Sequence, residues 1–141
     1  MEKRETGLKL SLEESMVLLM VDYRWSMIKN GKVIIKLIRD VDKEEIYLLK
    51  KIGFKEEGKT WCISVEIIEE YLNNRCQMLI EKFDSILKEN NINDAKVEFY
   101  SPFFSIKSSN NEQLCEIFKK YDLRARISND IIWILAWDLP F

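Results

Sequence analysis

Histidine is absent from the 141 residues, and glycine and proline number only four and two. Without histidine the chain lacks Ser-His and Cys-His nucleophile pairs, imidazole metal ligands and the usual acid-base group at neutral pH. Gly7, Gly31, Gly53 and Gly58 are too dispersed to build a phosphate-cradling loop. Cysteine is scarce too: Cys62, Cys76 and Cys115 are odd in number, lack CxxC spacing and lie in apolar surroundings. They read as small hydrophobes rather than a metal site, so no metal and no cofactor is expected. The N-terminal "MEKRETGLKL" has no apolar stretch of the signal-peptide kind, and the reading is a reduced, cytoplasmic protein. The longest apolar concentrations, at 16–21 and 131–137, fall well short of the roughly 20 residues that cross a bilayer, so no membrane insertion is expected.

A strong charge of either sign is also missing. Lysine and arginine total 22 against 24 acidic residues, for a net charge of −2. Residues 1–70 hold 13 cations and 14 acids, leaving nine and ten in the remainder, so there is no basic or acidic tail. That balance argues against a broad cationic face for duplex DNA, while leaving room for a small patch. The hydrophobic share of 47% and charged share of 33% suit an ordinary soluble globular chain. This length predicts a single domain over 1–141.

Ser11 with Glu14 forms a capping-box pattern ahead of "LEESMVLLMVDY", which predicts a helix over about 12–23. Asn30-Gly31 supplies the positive-φ pair of a two-residue hairpin turn between strands at about 25–29 and 32–38. Asp42 with Glu45 starts a short helix that Gly53 stops. "FKEEGKTWCIS" reads as a second hairpin, and 64–90 as a long helical segment that Asn73-Asn74 breaks in two. A strand "KVEFYSPFFSIK" in which Pro102 marks a bend or an edge comes next, then a helix over about 111–121 capped by Asn110. Two strands turned by Asn129-Asp130 complete the chain. Residues 35–54 align with 104–123 in strand, cap, apolar pair and Lys-Lys ending, and each stretch is followed by a strand with a tryptophan, Trp61 or Trp133. The expected fold is α+β, a mainly antiparallel sheet with helices packed on one face, and the alignment suggests an internal strand-helix-strand duplication.

The first hairpin carries the clearest local signal. "RWSMIKNGKVIIKLIR", residues 24–39, holds five cations and no acid. With Asn30 and Gly31 as the turn, Lys29 faces Lys32, Met27 faces Ile34 and Trp25 faces Lys36, all on one face. Ile28, Val33, Ile35 and Leu37 fall on the other, core face. Lysines directly opposed across strands repel mildly, which an anionic ligand would relieve. Three lysines around a tryptophan suit phosphate contact with base stacking, and Arg124 and Arg126 would extend the patch if their strand is a neighbour. The competing reading is an exposed hairpin whose lysines discourage edge-to-edge association.

Other constellations have simpler explanations. Ser26-x-x-Lys29 has the spacing of a serine-lysine nucleophile but sits on a strand rather than at a helix start. Asp40, Asp42, Glu44 and Glu45 could gather Mg²⁺, yet helix capping and dipole compensation account for Asp42 and both glutamates. Glu66, Glu69 and Glu70 read as a solvated helix face. The C-terminal "IIWILAWDLPF" carries Trp137, Leu139 and Phe141 past the end of its strand, either folded onto the core or presented to a partner subunit.

The order of helix, hairpin, short helix and further strands, with "SMVLLMVD" at 15–22 ending the first helix, resembles the LAGLIDADG homing endonucleases. That resemblance implies a metal-binding acid at Asp22. Met16 and Val17 stand where the family's helices carry small residues, and there is no second copy of the motif.

The function these features suggest is a non-catalytic accessory or binding module for nucleic acid, single-stranded in particular, or for a nucleic-acid-processing enzyme. Its contact residues would be Trp25, Lys29, Lys32, Lys36, Arg124 and Arg126. The alternatives are a subunit docking on a protein partner or a second copy through Trp137, Leu139 and Phe141, and a nuclease using Asp22.

Overall fold

The structure, a computed structural model, describes residues 12–19, 21, 23–38, 42–136 and 139. It is α+β and divides into two compact units, one built on residues 19–74 and the other on residues from 75 onward together with 12–18.

The first unit contains β1 (Tyr23–Lys29), β2 (Lys32–Leu37), α2 (Lys43–Ile52), β3 (Lys55–Glu57) and β4 (Thr60–Ser64), with the strands antiparallel in the order β1-β2-β4-β3. Asn30 and Gly31 both take positive φ, 53° and 75°, and set the expected register of Lys29 opposite Lys32 and Trp25 opposite Lys36. Asp42 caps α2 by accepting a hydrogen bond from the Glu45 backbone N–H at 3.0 Å. The core face of the sheet is Val33 and Ile35 on β2 against Ile63 and Trp61 on β4, all buried. Ile28, expected in this core, is 51% exposed because β1 is an edge strand and its inner face is only partly covered.

Helix α3 (Val65–Glu89) connects β4 to the next strand without interruption. Ser64 starts it by accepting from the Ile67 N–H at 3.3 Å. The break expected at Asn73-Asn74 does not occur: asparagine costs only about 0.7 kcal/mol per helical position, and buried Leu72 and Cys76 flank the pair. The helix ends with Asn91 at φ 59° and the Ile92 N–H bonded to the Leu87 carbonyl.

The second unit contains β5 (Lys96–Tyr100), β6 (Phe103–Lys107), α4 (Asn111–Lys120), β7 (Ala125–Ser128) and β8 (Ile131–Leu135), antiparallel in the order β5-β6-β8-β7. The single strand expected over 96–107 is a hairpin, with Tyr100 opposite Phe103 and a cis Ser101–Pro102 peptide in the turn. Strand-forming residues on both sides of a two-residue turn had hidden the reversal. Helix packing lies on one face, as expected: Phe83 of α3 meets Phe104 of β6 at 5.3 Å and Phe118 of α4 at 6.1 Å between ring centroids. Phe99 stacks beside Phe104 at 4.8 Å.

At the N-terminal end, the helix expected over 12–23 is short. α1 covers Leu12–Ser15 and a 3₁₀ turn covers Met16–Leu18, after which the Val21 N–H bonds the Leu19 carbonyl and β1 opens at Tyr23. Met16, Leu18, Leu19 and Val21 are all buried, so the apolar run records burial rather than helix.

Candidate nucleic-acid interface

The outer face of the first sheet follows from its register. Trp25 lies opposite Lys36, Met27 opposite Ile34 and Lys29 opposite Lys32, and the Met27-Ile34 row continues through Cys62 of β4 to Lys55 of β3. Trp25 is 40% and Met27 48% exposed, Lys29, Lys32 and Lys55 are exposed, and Lys36 is half-buried. Among the described residues none of these lysines forms an ion pair. A hollow of about 210 Å³ beside them is lined by Lys32, Lys55, Glu57, Cys62 and Ser64. Glu57 makes this sheet face less purely cationic than the hairpin alone, and burial together with the hydrogen bond to Glu57 pushes the Cys62 thiol pKa up.

Arg124 and Arg126 do not extend that hairpin through neighbouring strands. β7 pairs with β8 in the second sheet, whereas β1 pairs with β2 in the first. Arg126 lies opposite Trp133, which lies opposite Ser105, and Leu135 in the same strand lies opposite Phe103. Phe103 and Trp133 meet edge to face, 5.9 Å apart at 77°. With Arg124, Arg126, Ser128 and Leu135 they line a cavity of about 470 Å³.

Phe103, Trp133 and Leu135 line this cavity, and sequence reasoning did not place them among the candidate contacts. The turn at Asn129-Asp130, where φ is 53° and 61°, fixes Arg126 opposite Trp133, so this pairing was available from the sequence by the logic used on the first hairpin. Phe103 was not, because its placement depends on the unforeseen turn at Pro102.

The remaining candidates are more dispersed. Leu139 is buried, at 5% exposure, while Trp137, Phe141 and Asp22 lie outside the described residues. The LAGLIDADG-like arrangement also needed a helix running to Asp22, and the helical turns end at Leu18. Among the described residues no three acidic or thiol groups gather as a metal site, and no helix is long and apolar enough to cross a membrane. Comparison with protein families, with curated proteins and with solved structures finds no match to this chain.

Proposed function

We propose that this protein is a non-catalytic module that binds single-stranded nucleic acid, by itself or alongside a nucleic-acid-processing enzyme. The observation that carries the reading is the outer face of the β1-β2 hairpin, where Lys29 and Lys32 oppose each other and Trp25 stands exposed beside Lys36. Like charges held directly opposite are unfavourable by a few tenths of a kcal/mol up to about 1 kcal/mol, and a phosphate between them reverses the sign of that interaction. An exposed indole beside cations also gives a base a surface to stack on. Arg124 and Arg126 add contacts on the second sheet.

The test is fluorescence anisotropy of labelled single-stranded and duplex oligonucleotides at low and physiological salt. Saturable binding of the single strand that weakens with salt is expected. The combined Lys29→Glu, Lys32→Glu and Lys36→Glu variant should abolish it while keeping the wild-type circular dichroism spectrum. Unchanged affinity in that variant rejects the hairpin as the contact surface, and no binding at low salt rejects the nucleic-acid reading in favour of a protein partner.

A further inference from the structure

The outer face of the second sheet has a different composition from the hairpin. Tyr100 is 54% and Phe103 37% exposed, and their row continues through Leu135, so an apolar strip crosses the sheet from β5 to β8. Trp133 is held in place by donation of its indole N–H to the Ser128 carbonyl at 3.3 Å, which satisfies its polar atom within the protein. The perpendicular rings of Phe103 and Trp133 form a corner, in which a flat ligand stacks on one ring and meets the edge of the other. Arg126 of the edge strand β7 and Arg124, just before that strand begins, border this corner and line the same cavity. Both are exposed, and among the described residues neither forms an ion pair. The carboxylate on this face, Glu98, is engaged by Lys96 at 3.7 Å and by the Tyr100 hydroxyl at 3.3 Å.

An apolar peptide would use the rings and leave two guanidinium groups without partners, whereas an acidic peptide would use the guanidiniums and leave the rings wet. A chain of flat rings joined by phosphates uses both. The bases must be unpaired, because in a duplex each base face is already covered by its neighbours in the stack. We propose that the outer face of the second sheet is a base-stacking subsite, with an unpaired base of a single-stranded nucleic acid on Phe103 and Trp133 and its flanking phosphates on Arg124 and Arg126. This subsite rests on the nucleic-acid reading above and adds a location distinct from the hairpin.

The experiment titrates the full chain with labelled oligothymidylate, oligoadenylate and a duplex of matched length, following anisotropy and tryptophan emission. Single strands should bind more tightly than the duplex and quench emission, and Trp133→Phe should remove a large part of the quenching. Phe103→Leu should weaken single-strand binding by on the order of tenfold with the hairpin lysines intact. The surface variant Arg124→Gln with Arg126→Gln, which perturbs no core contact, should flatten the logarithmic salt dependence by about 1.4. Single-strand binding that keeps its affinity in Phe103→Leu and its salt slope in the arginine variant overturns the subsite and leaves the nucleic-acid reading standing. A duplex that binds as tightly as the single strands overturns the stacking assignment. Failure of every oligonucleotide to bind at low salt overturns both.

Discussion

Burial sets the behaviour of individual thiols in this chain. Cys76 is 1% exposed and burial pushes its pKa up to about 12, while Cys115 is only half-buried and its pKa is raised less, again by burial. Because the thiolate is the reacting species, a soluble disulfide reagent at pH 8 should modify Cys115 first and Cys76 only after unfolding. A mass-spectrometric time course in which Cys76 reacts as fast as Cys115 in the folded protein would contradict this order. Asp94 responds to its surroundings in the opposite direction. Its carboxyl is held below the usual aspartate value first by the Ser109 side chain, then by the Ser109 N–H, which donates at 3.0 Å, and by the Ser108 hydroxyl, which donates at 3.2 Å. A depressed folded-state pKa contributes stability that is present above the unfolded value of about 3.9 and is lost as pH falls through the folded value. Asp94→Asn should therefore be less stable than wild type near neutral pH, and the gap should close below about pH 3.9 in urea titrations at stepped pH. The partners of Asp94 lie fourteen and fifteen residues further along the chain.

Elements were legible where a local chemical signal fixed them. Asn30-Gly31, Asp42 with Glu45, Asn110 with Gln113 and Asn129-Asp130 each mark the turn or helix start they suggested. At Gly31, with φ 75°, an added Cβ would meet nothing within 4 Å, so the cost of Gly31→Ala is backbone strain alone. The expected loss is about 1 kcal/mol, seen as a lower urea midpoint with unchanged slope. Phe83 gives a larger effect through packing, since it is fully buried between Phe104 and Phe118. Phe83→Ala should cost about 3–5 kcal/mol by the same measurement. Local reading failed at Pro102, where two strands join through a short turn, and at Asn73-Asn74, where weak helix propensity yielded to the burial of Leu72 and Cys76. It also failed at Leu19 and Val21, which are buried without being helical, since a short apolar run looks the same in a helix and in a buried irregular segment.

On the scale of the whole molecule, one topology occurs twice. Two hairpins flank a short helix in each unit, and the strand orders β1-β2-β4-β3 and β5-β6-β8-β7 correspond strand for strand. The helix ends correspond too: the Phe54 N–H bonds the Leu49 carbonyl as the Leu123 N–H bonds the Phe118 carbonyl, and both Phe54 and Leu123 are buried. The two tryptophans that had supported the alignment are not equivalent. Trp61 pairs with core-facing Ile35, whereas Trp133 pairs with Ser105 on the outer face and Ile134 holds the position matching Trp61. If the hairpin lysines contact phosphates, changing Lys29, Lys32 and Lys36 together to glutamine should reduce the slope of log affinity against log salt for a single strand by about 2. An unchanged slope in anisotropy titrations would remove them from the contact surface. The sequence by itself determined the α+β class, the turns at Asn30-Gly31 and Asn129-Asp130, the helix caps at Asp42 and Asn110 and the face of the first hairpin, because each depends on residues only a few positions apart. Tertiary structure decided that β1 is an edge, that Arg124 and Arg126 belong to the other sheet, and that Phe103 and Trp133 meet. Those facts depend on which strands pair across long stretches of chain, and side-chain patterning within one strand carries no record of its neighbour.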